Sequence, residues 1–192
     1  MVDMSTRDHI VAVAKNEFLR AGIGSTRMDT IAARVGIARP NVYRYFGRKQ
    51  DLVKEVILRE VRAVNQLRRQ RLPVEGEVQD LILASLVSGA QLIREDGFLS
   101  VELSRDSEQI TSFLVSNDED LLATQQEYWE PILRLGRERG ELKEDLDDSR
   151  IIRWFMSSNF CLVALPEMYP GDPADWFADF VIPPVLQANK RT

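Results

Sequence analysis

The chain has 192 residues, of which 44% are hydrophobic, and its net charge is −5. This composition excludes an intrinsically disordered chain, and the length suits one compact unit or two small helical subdomains. The single cysteine, Cys161, excludes an intrachain disulfide. Because the sequence also has no signal peptide and no run of ~20 apolar residues, it predicts a cytoplasmic protein that does not cross a membrane.

The charge is distributed unevenly along the sequence. Residues 1–50 contain nine Lys and Arg against four Asp and Glu, a net charge of +5, whereas residues 51–192 have a net charge of −10. A basic head on an acidic body is typical of a protein whose first segment binds a polyanion such as DNA. Chance clustering of basic residues is the alternative explanation.

Apolar residues recur with helical spacing in the first part of the chain. Four helices are predicted there, over residues 5–21, from about 27 to 35, 39–46 and 48–71. Thr26 is the predicted N-cap of the second helix, and Gly22, Gly36 and Gly47 end or separate the first three. The apolar face of the long fourth helix extends as far as Leu67.

The second part of the chain is predicted to be helical as well. Helices are expected over residues 78–94, 119–139, 149–165 and 174–188, and shorter helices or turns over 98–106 and 110–115. The last one is expected to be kinked or broken at Pro183 and Pro184, since proline cannot donate a backbone hydrogen bond. No segment alternates as a strand does, so the predicted fold is all-α, with about nine helices.

Two short helices around Gly36, within residues 25–52, predict a helix-turn-helix. Arginine can recognise guanine, asparagine can recognise adenine, and an apolar surface can contact a thymine methyl group. The residues that the second of these helices offers for DNA are Arg39, Pro40, Asn41, Tyr43, Arg44 and Tyr45. Lys49 and the tyrosine hydroxyls suit phosphate, as do Thr26 and Arg27 at a helix N-terminus.

This segment resembles the DNA-binding domain of the TetR family of bacterial regulators. The matching residues are Thr26, Ile31-Ala32, Gly36-Ile37, Tyr43-Arg44-Tyr45-Phe46 and Lys49, with Gly22-Ile23-Gly24 at the end of the first helix. Ala38 stands where the family often has serine, and Pro40 stands where a small residue is common. Ala38 gives up an N-cap hydrogen bond of about 1 kcal/mol, and Pro40 affects the choice of bases rather than the fold.

The resemblance implies a three-helix DNA-binding domain over residues 1–50, with a linking helix from about 48, and a helical ligand-binding and dimerisation domain over 51–192. It also implies a homodimer that binds a palindromic operator in double-stranded DNA, with the last two helices at the interface. A small-molecule inducer would tilt the linking helix. The candidate residues that contact this inducer are Phe98, Phe113, Tyr128, Trp129, Phe155 and Asn159. The acidic body favours a neutral or cationic inducer.

The implied function is that of a ligand-responsive repressor. A transcriptional activator of the same fold and a helical ligand-sensing module without DNA binding are the alternatives. An enzyme is not expected, because the sequence has one histidine, His9, and no nucleophile, phosphate-binding or dinucleotide-binding motif. For the same reason no catalytic residue, metal site or cofactor is predicted.

Overall fold

The computed structural model describes residues 5–95, 97–105, 108–116, 118–165, 167 and 171–187, and over these residues the backbone is helical apart from turns and one isolated bridge between Leu142 and Leu186. The helices are α1 (Thr6–Ala21), α2 (Met28–Val35), α3 (Arg39–Tyr45), α4 (Lys49–Arg71), α5 (Val78–Glu95), α6 (Gly97–Ser104), α7 (Glu108–Val115), α8 (Glu119–Glu138), α9 (Asp148–Ala164) and α10 (Pro173–Trp176). A π-helical segment, Phe177–Val181, follows α10 directly. The predicted all-α fold is confirmed.

Most helix ends lie within two residues of their predicted positions, because polar caps fix them. Ser5, Asp118 and Asp147 each accept a hydrogen bond from a backbone N–H in the first turn of the helix that follows. The predicted capping of α2 by Thr26 is wrong. Arg27 is the N-cap residue and makes no side-chain cap, because the Thr26 hydroxyl is buried and bonded elsewhere.

The last helical region is shorter than the sequence predicts. Helical hydrogen bonding ends at Val181, and the two prolines 183 and 184 lie in the turn that follows. Beyond the turn, Leu186 pairs with Leu142 in the antiparallel bridge. Ala188, the predicted end of this helix, lies outside the described residues.

The chain divides into two compact units. One takes its described residues from Met1–Val61 and Asp96–Ser116, and the other from Arg62–Glu95 and Asn117–Thr192. Helix α4 therefore contributes its beginning to the first unit and its end to the second. This division by compactness differs from the functional boundary placed after residue 50, which stays a prediction.

The core of the first unit fills the space between short helices. Ile10, Phe18, Ile31, Val42 and Phe46 are at most 2% exposed, so α1, α2 and α3 share one apolar centre. Burial of side chains of this size is the main force that holds three such short helices together.

Charged side chains join α1 to the first part of α4. Arg59 contacts Asp8 at 2.7 Å and Glu55 at 2.8 Å, and Arg7 contacts Glu55 at 2.9 Å. The hydrogen bond from Arg7 is the main cause that lowers the pKa of Glu55, and the bond and charge of Arg59 add to it. These contacts fix the start of α4 against α1 within the first unit.

The second unit has the larger apolar core. It is built from α5, α8, α9 and the π-helical segment. Its buried residues include Ile82, Leu86, Trp129, Leu133, Ile151, Ile152, Phe155, Phe177 and Val181. No helix in the described ranges is both long enough and apolar enough to cross a membrane.

Candidate DNA-binding surface and ligand site

The turn between α2 and α3 depends on Gly36. Its φ of +79° lies in the left-handed region, where glycine alone is free of strain from a Cβ atom. The N–H groups of Gly36 and Ile37 both donate to the carbonyl of Ala32, at 3.0 and 3.1 Å. The turn therefore takes only the three residues 36–38 between α2 and α3, as a helix-turn-helix requires.

Two apolar residues anchor α3 and determine which side of it faces outward. Val42 is inaccessible and Phe46, four residues later, is 2% exposed. The opposite side presents Arg39, Pro40, Tyr43, Arg44 and Tyr45, all exposed, while Asn41 is half-buried. The outward side of α3 thus combines two guanidinium groups with two phenols.

Arg39 is oriented by its neighbours. Its Nε lies 2.9 Å from an oxygen of Asp29 on α2, and its guanidinium carbon lies 5.4 Å from the centroid of the Tyr43 ring. The hydrogen bond to the Tyr43 hydroxyl and the charge of Asp29 raise the pKa of Arg39. The cation is therefore held in place at the surface by contacts that a phosphate can replace.

Arg44 has weaker contacts. It donates to the side-chain oxygen of Asn41 at 3.5 Å and forms no ion pair with any described residue. A guanidinium that is exposed and unpaired is available to a base edge or a phosphate. The structure therefore leaves Arg44 and Asn41 adjacent and directed to the same side.

The remaining predicted DNA-binding residues differ in exposure. Arg27 is exposed and lies 3.7 Å from Asp29. Thr26 lies beneath the surface, since its hydroxyl donates to the carbonyls of Gly22 and Glu17 and its N–H also donates to Gly22. Lys49 is half-buried and donates to the carbonyl of Gly24 at 3.1 Å, and its burial lowers its pKa.

The six predicted ligand residues fall in different units. Phe98 and Phe113 belong to the first, and Phe113 lines a cleft of about 420 Å³ together with residues such as Ile23, Lys49 and Ile57. Tyr128, Trp129, Phe155 and Asn159 belong to the second.

Three of the second unit's candidate ligand residues form a continuous aromatic group. The Trp129 ring meets the Tyr128 ring edge-on at 5.3 Å, and its centroid lies 4.8 Å from that of Phe155. Asn159 follows Phe155 by one turn of α9, so it lies on the same side of the helix.

Sequence reasoning missed a buried polar cluster next to these rings. Its members are Asn65 and Arg68 on α4, Ser85 and Ser88 on α5, and Thr124 on α8. A signal for it was present, because Arg68 follows Val61 and Val64 at helical spacing on the buried side of α4. Leu67, predicted as the end of that apolar face, is instead 40% exposed.

Comparisons with known proteins match this arrangement. The model of the family described as "Bacterial regulatory proteins, tetR family" matches residues 10–56, which contain α1, α2, α3 and the start of α4. The HTH-type transcriptional regulator Rv1255c of Mycobacterium tuberculosis is 22% identical over 95% of this chain and 86% of its own length.

Two solved structures share the fold over nearly the whole chain. The transcriptional repressor QsdR of R. erythropolis superposes with a TM-score of 0.68 at 16% identity, covering 90% of this chain and 89% of that chain. RolR in complex with the ligand resorcinol gives a TM-score of 0.63 at 18% identity, covering 94% and 87%. The N-terminal helix-turn-helix region therefore matches the model of the tetR family of bacterial regulatory proteins, and the fold of the chain is similar to that of these two regulators.

Proposed function

We propose that this protein is a ligand-responsive transcriptional repressor that binds a palindromic operator as a homodimer. The observation that supports DNA binding best is the outward side of α3, where Arg39, Tyr43, Arg44 and Tyr45 are exposed while Val42 is buried. A helix of this width fits the major groove, and its guanidinium groups suit guanine edges and phosphates.

The proposed roles follow the exposure of each side chain. Arg44 and Asn41 read bases, because they lie side by side on the outward face of α3. Tyr43 and Tyr45 donate to phosphates. Lys49 and Thr26 support the phosphate contacts indirectly. They fix the loop before α2 through their hydrogen bonds to the carbonyls of Gly24 and Gly22.

Selection of bound duplexes from a random DNA pool tests the DNA-binding proposal. We expect an enriched palindrome whose half-sites are separated by about one helical turn, or 34–36 Å between centres. Placing that sequence upstream of a reporter gene then separates repressor from activator. If no duplex is retained even at low salt, the alternative of a ligand-sensing module without DNA binding replaces this proposal.

Two large side chains support dimerisation through the C-terminal helices. Trp154 on α9 is 42% exposed and Phe180 is 65% exposed, although both side chains have large apolar rings. The Trp154 indole N–H donates to the carbonyl of Val181 at 2.8 Å, which positions its ring beside the π-helical segment. Exposed apolar groups of this kind are typical of protein interfaces. Light scattering should give about twice the monomer mass of 22.0 kDa, and a monomer at micromolar concentration would contradict the dimer.

Contacts of α6 with the end of α1 support a response of the DNA-binding helices to a ligand. Arg105 donates to the carbonyls of Phe18 and Leu19 at 3.1 and 2.8 Å. Buried Glu102 accepts from Arg105 at 2.7 Å and from the N–H of Ile23 at 3.4 Å. A ligand that moves α6 would therefore move the end of α1 as well. A typical coupling of about 1–3 kcal/mol would suffice to release the operator.

A further inference from the structure

The side chain of Arg68 is a buried cation with neutral partners. Its Nε donates to the carbonyl of Ser85 at 3.2 Å, and its terminal nitrogens donate to Asn65 Oδ1 at 2.8 Å and Ser85 Oγ at 2.9 Å. Arg68 is 5% exposed and forms no ion pair with any described residue. Burial lowers its pKa to about 10, so the guanidinium is still charged at neutral pH.

Stability alone does not account for such a group. Buried charges in proteins are usually paired, because an isolated one loses its hydration without compensation. The neighbouring helix α5 makes room for this one with a small residue. A Cβ atom at Gly89 would lie 3.1 Å from Arg68 Nε, closer than ordinary contact. Perturbed ionic groups cluster at functional sites, so this buried guanidinium is a candidate binding group.

The donors of Arg68 define what it can bind. A guanidinium has five N–H groups, of which the three acceptors above take three and the Tyr128 side chain takes a further one. A carboxylate that displaced Tyr128 would find one N–H on each terminal nitrogen, which matches its two oxygens. One face of the guanidinium is covered by aromatic rings, with the centroid of Tyr128 at 3.9 Å and that of Trp129 at 5.2 Å.

An unsatisfied polar atom lies in the same unit as these rings. The side-chain oxygen of Asn159 is buried and has no hydrogen-bond partner among the described residues. Asn159 lies one helical turn after Phe155, whose ring contacts Trp129. A buried cation without an ion-pair partner, an apolar aromatic group and an acceptor without a hydrogen-bond partner therefore occur together among the described residues of the second unit.

We propose that Arg68 anchors the inducer of this regulator and that the inducer is a small organic carboxylate with an apolar body and a hydroxyl group that donates to Asn159. This inference rests on the proposed ligand response and specifies its chemistry. It replaces the expectation of a neutral or cationic inducer, because a local buried charge outweighs a distant net charge that water and salt screen.

The aromatic packing explains how binding of the acid would be coupled to conformation. Tyr128, Trp129 and Phe155 are each at most 2% exposed, so an acid must part these rings to reach Arg68. Binding then selects a conformation with altered packing of α8 and α9 against α4. Because Arg68 lies on α4, the helix that begins at Lys49, the change acts on the helix that follows the DNA-binding segment.

Matched acids and amides test the inference on the full-length protein. Phenylacetate, benzoate, octanoate and para-hydroxyphenylacetate are compared with their amides, at millimolar concentration, by thermal shift and tryptophan fluorescence. We expect at least one acid to raise the Tm by several degrees, while its amide leaves it unchanged. If no acid in this set stabilises the wild type, or if the amides act equally, the inference is overturned.

Variants assign the effect to Arg68. Arg68→Met should weaken binding of the acid by roughly a hundredfold, because the carboxylate loses its only charged partner. Arg62→Met, an exposed arginine on the same helix, is the matched control and should bind the acid as the wild type does. Asn159→Leu should remove the advantage of para-hydroxyphenylacetate over phenylacetate. Equal acid binding by Arg68→Met and the wild type would overturn the inference.

Folding and DNA binding are measured separately. Arg68→Met should fold with a Tm near that of the wild type, since an unpaired charge is replaced by an apolar chain of similar length. Strong destabilisation of both Arg68→Met and Arg68→Gln, with no response of the wild type to acids, would make Arg68 a structural residue. Operator binding without ligand is independent of this result. Absence of an acid response in the wild type, with intact operator binding, defeats only this inference, whereas absence of operator binding by the wild type defeats the proposed repressor.

Discussion

Arg39 and Arg68 each lie beside a tyrosine ring, in opposite surroundings. On α3, Arg39 lies 5.4 Å from the Tyr43 ring, is exposed and contacts Asp29 at 2.9 Å. In the second unit, Arg68 lies 3.9 Å from the Tyr128 ring, is buried and forms no ion pair with a described residue. The pKa of Arg39 is raised by its partners, whereas burial lowers that of Arg68.

The difference shows that the surroundings of a guanidinium group determine which kind of anion it suits. An exposed guanidinium with replaceable partners suits a long polyanion, whose many phosphates each contribute little. A buried guanidinium suits one small anion, since low local polarity strengthens a single contact. The two regions should therefore respond differently to salt, to substitution and to pH.

Salt should separate the two regions most strongly. Operator affinity is expected to fall by about a thousandfold or more between roughly 50 and 200 mM salt, because condensed counterions are released from DNA on binding. Binding of an organic acid near Arg68 should fall much less, since buried charges are screened weakly. Titrations of operator and acid at four salt concentrations measure both slopes, and equal slopes would break the comparison.

Arg44→Ala should have the next largest effect. Specific operator binding is expected to weaken by roughly 1–3 kcal/mol, with relaxed base preference, because a base contact is lost. Lys49→Ala should weaken specific and random DNA alike, since Lys49 supports the backbone contacts. Acid binding should be unchanged in both variants. Fluorescence anisotropy with operator and scrambled duplexes measures the contrast, and uniform weakening by Arg44→Ala would refute its role in base recognition.

The helix-turn-helix and the exposed side of α3 could be predicted from sequence because their determinants are local. A short segment of sequence contains all of them: Gly36, the alternation of Val42 and Phe46 with charged residues, and the basic bias of residues 1–50. Thr26 shows the limit of that reasoning. The same hydroxyl that caps a helix in isolation here donates to Glu17 and Gly22, a choice made by tertiary packing.

The grouping of the candidate ligand residues could be predicted only in part, because aromatic residues mark any helical core. Tyr128, Trp129 and Phe155 do lie together, whereas Phe98 and Phe113 belong to the other unit. Arg68 was missed because an arginine near a helix C-terminus ordinarily faces solvent. The Arg68 side chain enters the core where Gly89 on α5, which is distant in sequence, leaves room for it.

Gly89→Ala should affect the buried region alone. The added methyl group lies 3.1 Å from Arg68 Nε and 3.3 Å from its guanidinium carbon, so the side chain must shift. Overpacking of this kind costs roughly 1–3 kcal/mol, and we expect a lower Tm together with a weaker response to organic acids. Gly97→Ala, whose Cβ would meet no atom within 4 Å, is the matched control. A Gly89→Ala protein with wild-type acid affinity would show that the guanidinium position is not critical.

Lowering the pH should produce the smallest difference between the two regions, through the ion pairs that join α1 to α4. The pKa of Glu55 is lowered below its usual 4.5, first by its hydrogen bond from Arg7. A carboxylate with a lowered pKa in the folded state stabilises the protein above the unfolded pKa and loses that contribution as the pH falls through the folded value. Glu55→Gln should therefore reduce the loss of Tm below pH 4.5 relative to the wild type, by an amount limited by the partial exposure of the pair. Glu75→Gln, at an exposed position, is the control.

Arg68 keeps its proton throughout this acidic pH range, because its pKa of about 10 lies far above these pH values. A pH-dependent loss of acid binding that Glu55→Gln removes would therefore mean that the two regions are not electrostatically independent.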